Sequence, residues 1–391
     1  MSSVHHVDGY TLTLLCNGAE YFPRLIAAIE GARESVYLET YIYADDAIGR
    51  NVAAALQRAA RRGVQTHLLM DGYGSADFPK NWLRELRGSG VQVLIFRPEI
   101  SWLTLRRQRL RRMHRKLVSV DGRIAFVGGI NIIDDMDGDD MTQPRLDYAV
   151  EIQDGDAVLH IQAVMKRLWA VVSWLNFRHR TEEISMRLMF RAPDPRRNVM
   201  FLQRDNLRHR RDIELAYINA IDQAQHEILL ANAYYLPGQR FRNALNRAAA
   251  RGVKVTLLLQ GKVEYWLQHY ATHALYDEML GAGMRIYEYH TSFLHAKVAV
   301  VDGRWGTVGS SNIEPFSLWL AREANLAVQD ETFAATLRGD LMREIERGAY
   351  PVDPAIWNQR SVWVRLLARA SYAFMKVLTS LIAAVRGKDD V

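Results

Sequence analysis

Apolar and polar positions alternate between short apolar runs and longer amphipathic stretches. Residues 36–43 (VYLETYIY) and 228–235 (ILLANAYY) are apolar and aromatic runs of strand length. Residues 51–62 and 240–251 place Ala, Leu and Arg at helical spacing. They stop at Gly63 and Gly252, where a helix C-terminal glycine belongs. The succession helix, strand, helix, strand predicts α/β units around a largely parallel sheet.

The pattern occurs twice. AAIEGARESVYLETYIY, from Ala27, aligns with NAIDQAQHEILLANAYY, from Asn219. RAARRGVQTHLLMDG (from Arg58) aligns with RAAARGVKVTLLLQG (from Arg247), and LRGSGVQVLIF (from Leu86) with MLGAGMRIYEY (from Met279). Three matches in one order predict a duplicated α/β lobe. We place the lobes at 1–190 and 191–350, with the proline-bearing stretch 181–198 as their connection and 351–391 as an amphipathic tail. The 391 residues suffice for two or three domains at about 150 residues each.

Composition adds little, because 24% charged residues is ordinary. Disorder, collagen and a disulfide scaffold are excluded, the last by a single cysteine, Cys16. No segment approaches the roughly 18 apolar residues of a membrane span. The N-terminus lacks the basic and apolar regions of a secretory leader, so contact with a membrane is expected from its surface.

The chemistry lies in a second duplicated pattern. His114, Lys116, Asp121, Gly128-Gly129 and Asn131 match His295, Lys297, Asp302, Gly309-Ser310 and Asn312. The intervals from histidine are two to Lys, seven to Asp and seventeen to Asn in both copies. LVSVDGRIAFVGG and VAVVDGRWGTVGS each read as strand, Asp-Gly turn, strand. His and Lys two apart on a strand face one way. The glycines are expected to admit a ligand and offer N–H donors to an anion. Asp121 and Asp302 fall in the turns, remote from reacting atoms. Asp147 and Glu323, each on a following strand, are the carboxylates expected to fix a histidine tautomer, against the alternative of ordinary exposed acids. Two Lys ammoniums neutralise a phosphodiester, one imidazole attacks phosphorus and the other protonates the leaving alcohol. That division of labour predicts two lobes face to face with one active site between them.

These paired H-x-K-x4-D-x6-G-[GS]-x-N elements resemble those of the phospholipase D superfamily. With Leu38-Glu39-Thr40, 70–74 (MDGYG), 112–116 (RMHRK), 231–234 (ANAY) and 308–312 (VGSSN), the chain most resembles bacterial cardiolipin synthases of the B type. The resemblance implies two α/β/α lobes related by pseudo-twofold symmetry. It also implies metal-independent phosphatidyl transfer between two phosphatidylglycerols with release of glycerol, by a peripheral protein of the cell inner membrane. The motif residues His114, Lys116, Asp121, His295, Lys297 and Asp302 are its catalytic set, with Gly129, Asn131, Asp147, Ser310, Asn312 and Glu323 in support. By analogy His114 is the nucleophile and His295 the acid and base, although the symmetry of the motifs leaves that order open. Hydrolysis of phospholipids by water is the nearest alternative, and a phosphodiesterase acting on nucleic acid the next; no nucleic-acid partner is expected. Oligomeric state is not encoded.

Three further features carry expectations. Residues 106–116 hold seven basic and no acidic residues, next to Ile100, Trp102, Leu103 and Leu105. They suit an anionic lipid surface, a solvated loop or an internal phosphate-binding wall. In the tail, Trp363, Leu367, Ala370, Phe374, Val377, Leu378, Leu381, Ile382 and Val385 share a helical face opposite Arg365, Arg369 and Lys376. That periodicity fits a membrane interface or the protein's own core equally. His269, His273 and Asp277 at i, i+4, i+8 read as a polar surface face rather than metal ligands, and 134–140, rich in Asp, as a solvated loop.

Overall fold

A computed structural model describes residues 3–97, 111–136, 143–175, 197–205, 208–314 and 321–384. The connection at 181–196 and most of the apolar-basic stretch before Arg111 lie outside the described residues.

The first lobe contains β1 (Ser3–Val7), β2 (Tyr10–Cys16), α1 (Asn17–Gly31), β3 (Ser35–Thr40), α2 (Ala47–Arg61), β4 (Gln65–Asp71), α3 (Lys80–Gly88), β5 (Gln92–Phe96), β6 (Lys116–Val120), β7 (Ile124–Gly128), β8 (Tyr148–Gln153) and α4 (Asp156–Leu175). The second contains β9 (Val199–Arg204), α5 (Asp212–Gln223), β10 (Glu227–Asn232), α6 (Gln239–Ala250), β11 (Lys254–Gln260), α7 (Trp266–His273), α8 (Tyr276–Gly281), β12 (Arg285–Tyr289), β13 (Lys297–Val301), β14 (Trp305–Gly309), β15 (Glu323–Gln329), α9 (Glu331–Gly348) and β16 (Ala349–Pro351). The helices α10 (Pro354–Asn358) and α11 (Val362–Ala384) follow.

Each lobe builds an eight-stranded sheet. The orders are β1-β2-β8-β7-β6-β3-β4-β5 and β9-β15-β14-β13-β10-β11-β12-β16, the same topology with one added edge strand at opposite ends. The expectation of a largely parallel sheet is corrected here. Only β3-β4-β5 and β10-β11-β12 are parallel, because only they are neighbouring strands joined by helical crossovers; every other neighbouring pair is antiparallel. The apolar runs at 36–43 and 228–235 end as strands at Thr40 and Asn232. Beyond Thr40 the chain turns off the sheet, its Ile42 N–H taken by Asn131. The tail separates later than 351, since Pro351 pairs with β12 and Val352 donates to Ile286.

The helices α1 and α2 cover the outer face of the first sheet, and α5 and α6 that of the second. The inner faces share one core: Val127 and Val150 of the first sheet belong to the same buried cluster as Val308 and Leu326 of the second. This non-directional burial holds the lobes face to face.

One buried pair marks a difference between the lobes. Arg115, the middle residue of the first H-x-K, is 1% exposed and clasps Glu39 on β3. The aligned positions in the second lobe are Ala296 and Ala231. Glu39→Ala or Arg115→Ala, each leaving a buried charge alone, is expected to destabilise by about 3–5 kcal/mol. The double variant, which copies the second lobe, recovers part of that loss. Urea melts of the four proteins measure the cycle.

Candidate active site

The site forms at the edge where β3, β4, β10 and β11 end and β6 and β13 begin. Each histidine stands two residues before its strand, and both lobes hold it. The residue before it is tied to its own lobe: Met113 N–H donates to Asp71 (2.9 Å), and Leu294 N–H to Gln260 (3.1 Å). The histidine itself is tied to the other lobe. His114 N–H donates to the Arg322 carbonyl (3.0 Å), and His295 N–H to that of Leu146 (2.8 Å). Return bonds run from Arg322 to Arg112 (2.8 Å) and from Leu146 to Phe293 (2.9 Å).

The rings follow the same crossing. His114 Nδ1 lies 3.0 Å from Glu323 of the second lobe, and His295 Nδ1 lies 2.6 Å from Asp147 of the first. Asp147 and Glu323 are both buried, so the alternative of ordinary exposed acids is excluded. With Nδ1 taken, Nε2 of each ring is the atom left for a substrate. The side chains of His114 and His295 are 16% and 13% exposed, enough to leave a ring edge accessible.

The two carboxylates are held differently. Glu323 accepts from Ser310 Oγ at 2.6 Å, and Ser310 Oγ in turn accepts from Ala324 N–H at 3.0 Å. The aligned Gly129 is where the shorter Asp147 closes in: a Cβ there would stand 2.3 Å from its Oδ1. Gly129 N–H donates to Tyr148, and Ser310 N–H to Ala324. These backbone groups are therefore spent within the fold rather than offered to an anion, which corrects the expectation for the glycine segments. Asn131 and Asn312 are buried at the ends of β7 and β14, and Asn131 accepts the N–H of Ile42.

Lys116 and Lys297 are buried, and each Nζ folds back to its own motif histidine carbonyl. Lys297 Nζ is also 3.9 Å from Asp147, and Lys116 Nζ stands 5.4 Å from the Tyr41 ring. Tyr41 in turn meets His114 edge-on at 4.8 Å. All four motif cations and rings influence one another electrostatically, as one site between the lobes requires.

Asp121 and Asp302 stand at the far ends of β6 and β13. They sit in left-handed turns (φ 52° and 51°) and cap the start of β3 and β10. Asp121 accepts the N–H groups of Arg33, Glu34 and Ser35; Asp302 accepts those of Gln225, His226 and Glu227. Their inclusion in the catalytic set is corrected: neither approaches a ring, and both serve as braces. Burial would raise the Asp302 carboxyl, but its three backbone donors outweigh that and hold it below the usual range.

Asp71 and Gln260, which position both motifs, were not among the site residues expected from the sequence, although Asp71 lies in the resembling segment 70–74. Their signal was present as the polar residue closing the aligned runs LLMD and LLLQ. Tyr41 had no such signal, because its aligned residue is Ala233.

Burial dominates the electrostatics. It lowers His114, with Glu323 opposing, and lowers His295 well below its ordinary value, with Lys297 and Lys116 adding to the effect. Burial also pushes Asp147 up, to about 7, against the pull of Lys297. The lysines are brought down by burial, Lys116 to about 7 and Lys297 to about 8. A neutral nucleophilic imidazole persists below pH 6.5, so the acid limb of kcat/KM lies below the ordinary histidine range. The alkaline limb falls as pH rises through about 7 to 8, where the free enzyme loses its ammoniums. The same limb in kcat shifts upward, because bound phosphate favours the charged lysines. Steady-state rates from pH 5 to 9.5 check both limbs.

The remaining sequence candidates resolve differently. Arg111, Arg112, Arg115 and Lys116 are the described end of the basic run, and they turn inward: Arg112 lies 3.4 Å from Asp71, and Arg115 and Lys116 are buried. The reading of His269, His273 and Asp277 as a surface face is corrected. His273 is buried and paired with Glu288 (3.0 Å), because Trp357 of α10 packs edge-on against it and donates its Nε1 to Asp277. Among the described residues, no group of three His, Cys, Asp or Glu side chains is arranged to hold a metal. Asp135 is not solvated either, since it accepts the N–H of Gly18.

Two lobes with paired H-x-K segments and crossed carboxylates define a phospholipase D-type phosphotransfer site. Residues 25–169 and 217–345 match the family described as cardiolipin synthase, PLD-like domain. The chain belongs to this family. It is 37% identical over 378 residues to cardiolipin synthase B of Salmonella typhi, covering 96% of this chain and 90% of that one. It is 36% identical over the same length to cardiolipin synthase B of Escherichia coli K12. The fold is similar to phosphatidylserine synthase of Haemophilus influenzae Rd KW20 (TM-score 0.68, 13% identity, 95% and 94% of the two chains). It is also similar to polyphosphate kinase of Porphyromonas gingivalis (TM-score 0.58, 15% identity, 95% of this chain and 53% of that one).

Proposed function

We propose that the protein joins two phosphatidylglycerols into cardiolipin and glycerol as a peripheral protein of the cell inner membrane. The observation that carries this reading is the crossed pairing of His114 with Glu323 and His295 with Asp147, which gives one cleft two oriented imidazoles. His114 Nε2 attacks the donor phosphorus and forms a P–N bond as the P–O bond to glycerol breaks. Lys116 and Lys297 hold the negative oxygens, helped by Asn131 and Asn312. The charge of the phosphodiester favours the protonated form of His295, which gives its proton to the departing glycerol oxygen. The neutral His295 then takes the proton of the acceptor hydroxyl. That oxygen attacks phosphorus, the P–N bond breaks, and both rings return to their starting states. Asp147 and Glu323 keep each Nδ1–H in place throughout, with Gly129 and Ser310 supporting them.

Purified protein incubated with phosphatidylglycerol is the test. Equimolar cardiolipin and glycerol are expected. Phosphatidic acid without cardiolipin would replace transfer by hydrolysis, and cleavage of DNA but not lipid would point to a nuclease.

A further inference from the structure

The C-terminal helix α11 uses only part of its circumference to join the fold. Ala368, Ser371 and Met375 face inward as it lies along α7, and Tyr372 accepts from Arg242 at 3.1 Å. At 3.6 residues per turn, Trp363, Leu366, Leu367, Phe374 and Val377 form a separate arc. That arc is open: Trp363 is 79% exposed, Val377 57% and Phe374 55%. Arg365, Arg369 and Lys376 fill the sector on the arc's other flank. The helix carries no carboxylate from Val362 to Ala384.

A second exposed apolar group stands nearer the site. Val263, Tyr265 and Trp266, at the start of α7, are all more than half exposed. They follow Lys262, whose Nζ lies 5.8 Å from the ring of Phe293, two residues before His295. Tyr265 meets Tyr234 edge-on at 5.8 Å. Across the cleft, Tyr73 of the first lobe is likewise exposed, over the Arg112 guanidinium at 5.3 Å. Exposed apolar and aromatic side chains thus lie both beside the site, at the start of α7, and on α11, which packs along α7.

We infer that this surface seats the enzyme on an anionic phospholipid bilayer, with α11 lying flat at the headgroup level and the cleft mouth turned to the lipid. The inference rests on the lipid-substrate reading above and adds to it the face by which lipid is met. Charge complementarity selects the occupant: an apolar arc flanked by cations, on a helix whose own sequence holds no carboxylate, fits phosphate headgroups over acyl chains. An isolated aromatic arc would equally suit a second copy of the chain, but it would not call for the basic flank.

The test uses the full chain and three proteins: wild type, W363S/F374S and R365Q/R369Q/K376Q. All substituted side chains are solvent-facing, and unchanged thermal melts are the fold control. In co-sedimentation with vesicles of phosphatidylethanolamine and phosphatidylglycerol, W363S/F374S is expected to bind at least about tenfold more weakly. The triple-Gln variant is expected to lose its dependence on phosphatidylglycerol content. On a short-chain phosphatidylglycerol dissolved as monomers, both variants keep the wild-type kcat. Vesicle binding equal to wild type in W363S/F374S would overturn the inference. So would a wild-type dimer that this variant dissociates while vesicle binding is kept. Failure of the chemical reading shows separately, as wild type that binds vesicles but forms no cardiolipin.

Discussion

His114→Ala is expected to abolish all phosphoryl transfer, whereas His295→Ala loses the natural reaction but keeps a single turnover on an activated substrate. With phosphatidylglycerol, His295→Ala should fall by about 10²–10⁴, the usual weight of a positioned acid and base, and His114→Ala further still. A phosphodiester with a p-nitrophenol leaving group needs no protonation to depart. On it, His295→Ala should release one equivalent of nitrophenolate in a burst and retain an acid-labile phosphoryl group, while His114→Ala gives no burst. The reverse result would exchange the two roles, which is the one question the near-symmetry of the lobes leaves to experiment. The physical basis for the order proposed here is electrostatic. Burial, with Lys297, Lys116 and Arg145 adding to it, holds His295 well below its ordinary value, which suits a ring that must give up its proton. His114 instead has Glu323 as its strongest electrostatic partner, which supports the positive charge that builds on a ring bonding to phosphorus.

Removing either crossed carboxylate should have the next largest effect. Asp147→Asn and Glu323→Gln keep the shape of the site but let the Nδ1 hydrogen bond form with the wrong tautomer. A kcat loss of up to about 10⁴ is expected, as for the acid of a serine-protease triad, with KM nearly unchanged. The conservative exchanges separate orientation from charge. Glu323→Asp shortens the reach to His114 and to Ser310, whose other acceptor is the Ala324 carbonyl at 3.3 Å. Asp147→Glu has no space beside Gly129, where the present side chain already excludes a Cβ. Neither is expected to rescue, although both preserve the charge. A merely structural role would instead lower thermal stability in proportion to activity. The pH profile distinguishes the two, because loss of Glu323 should move the acid limb set by His114.

Much of this was legible in the chain. Duplication, the spacing of the two motifs and the Asp-Gly hairpins are local properties, encoded by hydrophobic period and by turn residues that accept left-handed backbone, as Asp121 and Asp302 do. The need for a carboxylate behind each imidazole was also legible, because a buried histidine that must keep one tautomer requires an acceptor. Where periodicity misled, the cause was a non-local choice. A largely parallel sheet was inferred from helix–strand alternation, although the hairpins carrying the motifs impose antiparallel pairing. His273 was assigned to a surface until α10 covered it.

What the sequence alone determined is the inventory of reacting groups: two histidines, two lysines and two acids, each set in the same order within its half. What only the tertiary structure decided is their partnership across the halves, His114 with Glu323 and His295 with Asp147. The reason is physical. Order along a strand follows from local backbone bonds, whereas the docking of two sheets follows from burying Val127 and Val150 with Val308 and Leu326. That apolar contact has no direction of its own and no imprint in residue spacing, so which acid meets which ring emerges only when the two faces close.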